Sequence, residues 1–314
     1  MRFPLFALIV AVAAALVFVA AQLYNSDYAF FAGYIVLQYV VIATAWNILG
    51  GYTGYVNFGS SAFFAIGAYS SVVLYKLVPL PVPVLMIVGG IVAGIVGLGT
   101  GYLTLRLRGV FFAIATLALV IVIETLIVNW EFVGGGRGTY VIRPHSAPFF
   151  GDYIRYLFAV MLGLCVVAVV VARTIQRSQL GYGFATIRDD ELAAEASGVP
   201  TLRLKLIATT LSGALMGMAG APFPYYVTYM QPQTAFGLEI GVNAIAMPMI
   251  GGTTSWVGPL VGAVLLGTLQ QLATVTISST ANLMIVGVVL IVFVVLAPQG
   301  IVGLVRNLSA RWRK

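Results

Sequence analysis

Ten stretches of predominantly apolar residues run along the 314-residue chain, separated by short polar or glycine-rich connections. Most are close to the ~20 residues at which an α-helix crosses the hydrocarbon core of a bilayer. A backbone in hydrocarbon must satisfy its own hydrogen bonds, so each stretch is expected to be helical. The pattern predicts an all-α, polytopic integral membrane protein with about ten transmembrane helices and some glycine-interrupted segments. The predicted segments are 5–23, 29–49, 61–78, 82–104, 110–130, 154–173, 203–220, 238–252, 258–273 and 282–297.

The composition indicates that lipid is the solvent of most of this surface. Hydrophobic residues make up 61% of the chain and charged residues 8%, whereas soluble domains carry about 25% charged residues. One cysteine, Cys165, and one histidine, His145, are too few for an internal disulfide or a metal site. We expect no metal and no cofactor. The first stretch resembles a signal peptide but is long for one, and it is interpreted as an uncleaved span.

The basic residues predict the orientation in the membrane. The net charge is +7, which in a soluble protein would suggest nucleic acid; here the charges flank apolar stretches and no nucleic-acid partner is expected. With the N-terminus inside, twelve basic residues are cytoplasmic and four are outside, whereas a non-crossing segment 238–252 would give eight on each side. The positive-inside rule therefore favours ten crossings with both termini in the cytoplasm. The inside set is Arg2, Arg106, Arg108, Arg173, Arg177, Arg188, Arg203, Lys205, Arg306, Arg311, Arg313 and Lys314, and the outside set is Lys76, Arg137, Arg143 and Arg155.

Residues 1–314 are interpreted as a single transmembrane domain with two long loops. Residues 131–153, on the outside, are glycine-rich and are expected to be irregular. Residues 174–202, on the inside, contain a short predicted helix of about two turns. Asp189 or Asp190 can cap its start, and Gly198 can end it in a left-handed turn. This helix is either part of an ordinary surface loop or a docking helix for a soluble motor. In the second case the coupling residues are Arg188, Asp189, Asp190, Glu191, Ala193, Ala194 and Gly198.

Catalytic chemistry has little support in the sequence. A Walker-type ATP site needs Gly-Lys followed by Ser or Thr. Of the three lysines, Lys76 and Lys205 precede leucine and Lys314 is the last residue given. The chain is therefore interpreted as a non-enzyme, and any ATP hydrolysis is assigned to separate subunits.

Glycine-interrupted stretches recur at 50–59 and 251–262. Paired interruptions point to a transport site, although close helix packing through small residues explains them equally simply. On the transport interpretation, the substrate pathway includes Gly54, Asn57, Gly59, Ser60 and Ser61. Glu124 joins this set. It lies inside segment 110–130, whose apolar residues contribute roughly −5 kcal/mol to insertion against about +3 kcal/mol for one acid. It either faces a polar pathway or pairs with a neighbouring helix.

Several blocks of this sequence resemble one known family. They are 46–54 (WNILGGYTG), 62–69 (AFFAIGAY), 105–118 (LRLRGVFFAIATLA), 185–191 (ATIRDDE), and Gly251-Gly252 with 256–263 (WVGPLVGA). Together, in this order, they look like the LivM-type permease subunit of branched-chain amino acid ABC transporters. Several positions depart from the family pattern. Leu192 stands where the coupling loop of ABC importers often has glutamate, with Glu191 one residue earlier. Tyr55 and Asn57 stand where many relatives have glutamine and serine, Ser60 stands where many have histidine, and the outer loop has Gly135-Gly136-Arg137-Gly138 where relatives usually have Gly-Gly-Ser-Asp/Asn-Gly.

The resemblance implies a permease subunit of the bacterial inner membrane that passes branched-chain or related amino acids into the cytoplasm. It implies four kinds of partner: a second homologous permease subunit, two ATP-binding cassette ATPase subunits, a periplasmic amino-acid-binding protein and membrane lipid. Residues 174–202 would form the coupling loop. Two alternatives stay open, namely an ABC permease for urea or short amides, and a stand-alone secondary transporter or channel.

Overall fold

The computed structural model describes residues 3–24, 26–104, 106–147, 150–276, 284, 287–289, 291–292 and 300–304. Up to residue 276 it is built from thirteen α-helices and four two-residue strands. The helices are α1 (Phe3–Tyr24), α2 (Asp27–Thr53), α3 (Ser60–Leu77), α4 (Val82–Thr104), α5 (Val110–Val128), α6 (Tyr153–Gln176), α7 (Gln179–Asp189), α8 (Glu191–Ala196), α9 (Thr201–Gly220), α10 (Phe223–Val227), α11 (Pro232–Ala235), α12 (Leu238–Gly251) and α13 (Val257–Thr276). The strands are β1 (Thr139–Tyr140), β2 (Ser146–Ala147), β3 (Gly151–Asp152) and β4 (Tyr229–Met230).

The prediction of an all-α, polytopic membrane protein is confirmed. Within the described residues, eight helical segments are long and apolar enough to cross a membrane. They correspond to α1, α2, α4, α5, α6, α9 with α10, α11 with α12, and α13. Helix α3, of 18 residues, is not among the eight; it carries Lys76 and several serines. Most of segment 282–297 lies outside the described residues, so ten crossings stays a prediction.

The centre of the bundle is held together by small residues. A Cβ atom on Gly67 of α3 would lie 1.9 Å from the carbonyl oxygen of Gly217 in α9. A Cβ atom on Gly217 would lie 2.4 Å from that of Ala93 in α4. Without a hydrophobic driving force between helices in lipid, such close backbone approach is a main source of helix association. Helices α3, α4 and α9 therefore form a tight core, whereas α5 lies at the periphery with few buried residues.

The loop of residues 131–153, predicted to lie outside, is more ordered than the sequence suggested. Residues 131–153 were expected to be irregular, yet they contain two short 3-10 helices and strands β1–β3. Strand β1 pairs antiparallel with β4, and β2 pairs with β3. Buried Val133 and Val141 anchor the loop, so burial of a few side chains orders a segment whose glycines gave no periodic signal.

The short helix predicted in loop 174–202 is present as α8, and a second helix that the sequence analysis did not predict precedes it. Two helices occupy this loop: α7, which begins ten residues before Asp189, and α8. Gly181 and Gly183 lower the helix propensity of α7. Tertiary packing overrides this weakness, because Phe184 and Ile187 are buried and a Cβ atom on Gly183 would lie 2.7 Å from Leu204. We call the end of the bundle that carries α7 and α8 the α8 end.

Candidate functional site

Helix α2 ends at the α8 end in a non-helical turn, residues 54–59, which we call the break segment. Gly54 has φ +79°, in the left-handed region that glycine adopts without strain. The side-chain oxygen of Asn57 accepts a hydrogen bond from the Gly59 amide at 2.7 Å. The Trp46 indole donates to the Asn57 carbonyl at 2.8 Å. Asn57 is buried, and these bonds fix the shape of the turn before α3 begins.

A cleft of about 380 Å³ opens beside the break segment. Its walls are the break segment, residues 108–113 at the start of α5, and residues 187–191 of the loop helices. Gly54 lines this cleft. The other predicted pathway residues of this region, Asn57, Gly59, Ser60 and Ser61, are buried behind it. The structure thus brings these five residues together, with Gly54 facing the cleft and the others supporting its wall.

A cluster of charged and polar side chains joins the loop helices to the break segment; Tyr55, Arg108, Glu191 and Lys205 are its members, and we call it the Glu191 cluster. Lys205 Nζ lies 2.7 Å from Glu191 Oε1 and 3.1 Å from the Tyr55 hydroxyl. Tyr55 donates a hydrogen bond to Glu191 Oε2. Arg108 Nε lies 3.7 Å from Glu191 Oε1. The side chains of Lys205 and Glu191 are only 4% and 12% exposed, so solvent screens this pair weakly.

The surroundings of Glu191 favour its charged form. Burial alone would raise its pKa, but hydrogen bonds from Lys205 and Tyr55, with the charges of Lys205 and Arg108, lower the pKa below its ordinary value. Burial, and after it the hydrogen bond to Glu191, raises the pKa of Tyr55. Tyr55 therefore stays protonated and donates to an ionised carboxylate.

Both ends of α8 are capped as the sequence predicted. Asp190 is the residue that caps the start, because its side chain accepts a hydrogen bond from the Ala193 amide at 3.1 Å. Gly198 has φ +82° and forms the left-handed turn at the end. These caps satisfy backbone groups that a six-residue helix would otherwise leave unpaired.

The predicted coupling residues point in two directions. Asp189, Asp190, Ala193 and Gly198 are exposed, as is Leu192 at 63%. Ala194 is buried and Glu191 faces the bundle. Arg188 is exposed, but its stem packs on Gly54: a Cβ atom there would lie 3.1 Å from Arg188 Cγ. The outward face of α8 is therefore formed by Leu192 and Ala193 rather than by Ala194.

Glu124 lies apart from this site. It is half-buried on α5, eleven residues beyond Ala113 of the cleft wall, or roughly 16 Å along the helix axis. It is close enough to Tyr69 of α3 for its charge to act on the tyrosine hydroxyl. That hydroxyl is buried without a hydrogen-bond partner among the described residues. The structure thus places Glu124 near a second polar position and not in the cleft.

Sequence reasoning missed three members of the Glu191 cluster: Tyr55, Arg108 and Lys205. Arg108 and Lys205 were counted only as charges that set topology. The signal for Lys205 was its position inside a predicted span, where a buried cation needs an acidic partner. Tyr55 stood out only as a departure from the family pattern, with no signal that it meets a carboxylate.

The family described as branched-chain amino acid transport system / permease component matches residues 28–295 of the chain. The chain belongs to this family. The permease is therefore a transport subunit and not an enzyme. No solved structure matches it.

The names of the permease's relatives refer to more than one substrate. It is 26% identical to the high-affinity branched-chain amino acid transport system permease protein LivM of Escherichia coli, over 85% of this chain and 68% of that one. It is 25% identical to the probable branched-chain amino acid transport permease protein LivH of Methanocaldococcus jannaschii, over 80% and 84%. It is 28% identical to the L-arabinose ABC transporter permease protein AraH of Azospirillum brasilense, over 66% and 62%.

Proposed function

We propose that this permease is the membrane-spanning subunit of an ATP-driven importer for branched-chain or related amino acids. It acts in a bacterial inner membrane, with both termini in the cytoplasm. It pairs with a second homologous permease subunit, two ATPase subunits and a periplasmic binding protein. Family membership and the names of its relatives support the transport class and the substrate.

One observation carries the ATPase part of the proposal: the loop between α6 and α9 presents a short helix that is capped at both ends and braced by a buried ion pair. A helix that receives force from a partner must move as a rigid unit. Its outward side offers Leu192 and, on α7, Tyr182, which are 63% and 71% exposed. Asp189 and Asp190 lie exposed beside them. We propose that this surface docks into a groove of the ATPase whose base is apolar and whose edge carries basic residues.

The substrate pathway is proposed to open at the cleft beside the break segment. Gly54 contributes to the wall, and Asn57, Gly59, Ser60 and Ser61 hold that wall in shape. Further along α5, Glu124 and the Tyr69 hydroxyl provide polar groups at a depth where lipid provides none. A homologous subunit facing α5 would complete the pathway, because that helix is the most exposed of the spans after α1.

The test reconstitutes the permease in liposomes together with the second permease subunit, the ATPase subunits and the binding protein from its own genome. Uptake of radiolabelled leucine, arabinose and urea is measured together with ATP hydrolysis. We expect leucine alone to be imported and to stimulate hydrolysis. Uptake of arabinose would instead assign the permease to sugar transport, the class named for its arabinose relative. Uptake by liposomes that hold this chain alone would contradict the ATP-driven mechanism.

The docking surface is tested with Ala193→Trp, whose bulk blocks close approach of a partner while leaving the buried contacts of α8 in place. The matched control is Ser146→Trp, an exposed small residue of the outer loop. We expect Ala193→Trp to lose co-purification with the ATPase and Ser146→Trp to retain it. Full association and full uptake in Ala193→Trp would show that the ATPase docks elsewhere.

A further inference from the structure

The carboxylate of Glu191 is directed into the protein, away from any soluble partner. Both of its oxygens are bonded within the bundle, to Lys205 at the start of α9 and to Tyr55 in the break segment. The neighbouring Glu195, on the same helix, bonds Thr201 at 2.7 Å and Arg108 at 3.3 Å. Among the described residues of α8, Glu191 is the one whose side chain is hydrogen-bonded directly to the break segment.

The loop helices contact the break segment at a second point, where the Arg188 side chain lies against Gly54. A Cβ atom on Gly54 would lie 3.1 Å from Arg188 Cγ, so the Arg188 side chain packs against the backbone of Gly54. If α7 and α8 moved as one unit, these contacts would displace two consecutive residues of the break segment, Gly54 through Arg188 and Tyr55 through Glu191.

The break segment is in turn bonded to the helices that border the proposed pathway. The Phe58 amide donates to Thr116 Oγ1 of α5 at 3.1 Å. A Cβ atom on Gly59 would lie 3.2 Å from the Thr116 carbonyl oxygen, and Ser60 immediately begins α3. Bonds therefore run without interruption from α8, through Glu191, Tyr55 and the break segment, to α5 and α3.

We propose that the Glu191 cluster is the joint that transfers movement of α8 to the break segment, with Glu191 as a positioning residue rather than an ATPase contact. The direction of the force rests on the proposed function; the physical linkage between α8 and the break segment does not. Short, charge-assisted bonds in a weakly screened site suit this role, because they transmit displacement and can still be remade.

The linkage is tested first on the permease alone in lipid nanodiscs, by amide hydrogen exchange. Glu191→Gln removes the charge with little change in shape. Tyr55→Phe removes only the hydroxyl and keeps the ring that packs edge-on against Phe112. Glu195→Gln is the matched control on the same helix. We expect Glu191→Gln and Tyr55→Phe to speed exchange in both 55–59 and 192–196 by about tenfold, since a charge-assisted bond that resists local opening is lost. The control should speed exchange in 192–196 alone.

The transfer of force is tested next in liposomes that hold the complete importer, namely this permease, the second permease subunit, the ATPase subunits and the binding protein. We expect the affinity of Glu191→Gln for the ATPase to stay within about twofold of wild type. The amount of ATP hydrolysed per substrate imported should rise at least about fivefold, because movement of the docked ATPase is then no longer passed fully to the break segment. Tyr55→Phe should behave in the same way. A role in folding alone would lower protein yield and leave this ratio unchanged.

Three results would overturn the proposal: unchanged exchange in 55–59 in both variants, a large loss of ATPase binding in Glu191→Gln, or an unchanged ratio of ATP to substrate. If wild type shows no ATPase-driven uptake, the proposed function fails, and so does the role in force transfer. The exchange experiment then still decides whether the linkage exists.

Discussion

The two glycine-rich breaks look alike in sequence but are held in different ways. Each follows a long apolar helix and turns at a glycine of positive φ, Gly54 at +79° and Gly252 at +113°. They lie side by side at the α8 end, since a Cβ atom on Gly51 would lie 2.7 Å from the Thr253 carbonyl oxygen. The first is held largely by side-chain bonds and the second largely by backbone contact.

In the second break, α12 and α13 touch through glycines. A Cβ atom on Gly258 would lie 1.7 Å from the Gly252 carbonyl oxygen, and one on Gly251 would lie 1.8 Å from that of Gly258. Gln176 bonds the connecting turn from the side, donating to Thr254 and accepting from Trp256, both at 3.1 Å. Such close backbone contact leaves no space for a side chain, and we call this second break the clamp. The first break borders a cleft and is tied to the loop helices. Glycine content alone therefore does not separate a site of helix packing from a turn that borders a cleft.

The strongest test of the clamp is Gly258→Val. The new side chain would overlap the Gly252 backbone, and overpacking of this kind costs at least ~3 kcal/mol of stability. We expect a large loss of monodisperse protein in detergent and a marked fall in Tm. Gly163→Val is the control, because nothing lies within 4 Å of that position, and it should behave like wild type. Normal stability of Gly258→Val would remove the distinction between the two breaks.

The next largest effect is expected for Lys205→Met, which leaves the Glu191 carboxylate short of its nearest cation. Breaking a buried ion pair costs about 3 kcal/mol, towards the lower end of the usual range here because Tyr55 and Arg108 remain. Thermal unfolding in detergent measures the loss. Lys76→Met, an exposed lysine with one bond to the Phe132 carbonyl, should change stability little. Equal behaviour of the two variants would mean that the Glu191 cluster contributes nothing to stability.

A smaller effect is expected for Gly54→Ala. A side chain in the left-handed region costs roughly 1–2 kcal/mol, and at Gly54 the added methyl also presses on Arg188 at 3.1 Å. Gly198→Ala separates the two causes, since Gly198 has a similar φ with nothing within 4 Å. We expect Gly54→Ala to lose more stability than Gly198→Ala and to weaken protection of α7 in hydrogen exchange. The reverse order would show that the contact with Arg188 is loose.

The smallest expected effect is a pH dependence. The pKa of Glu191 is lowered from 4.5, so its bonds stabilise the fold above that ordinary value and are lost as the pH falls through the lower, folded-state value. The free energy of unfolding should therefore fall on acidification below about pH 4.5 more steeply in wild type than in Glu191→Gln. If the free energy of unfolding depended on pH in the same way in wild type and Glu191→Gln, the stabilising role of the ionised Glu191 carboxylate would be contradicted.

The sequence alone determined that the long apolar runs form helices and that a short capped helix lies in the loop 174–202, for reasons that act locally. Backbone groups in lipid must bond within their own segment, so a long apolar run is a helix wherever the chain goes. The run 154–173 became α6 and the run 110–130 became α5. Asp190 and Gly198 likewise act on the backbone beside them, and their capping roles were visible in the sequence.

Only the tertiary structure decided which side chains meet. Tyr55 and Glu191 are 136 residues apart, and Tyr55 and Lys205 are 150 apart. They meet because glycines such as Gly67 and Gly217 let α3 and α9 approach closely, and a hydrophobic pattern does not encode which helix faces which. For the same reason the sequence analysis named Glu191 and Ala194, together with Ala193, as coupling residues without separating the inward from the outward face of α8. Burial against the bundle turned Glu191 and Ala194 inward and left Leu192 and Ala193 outside.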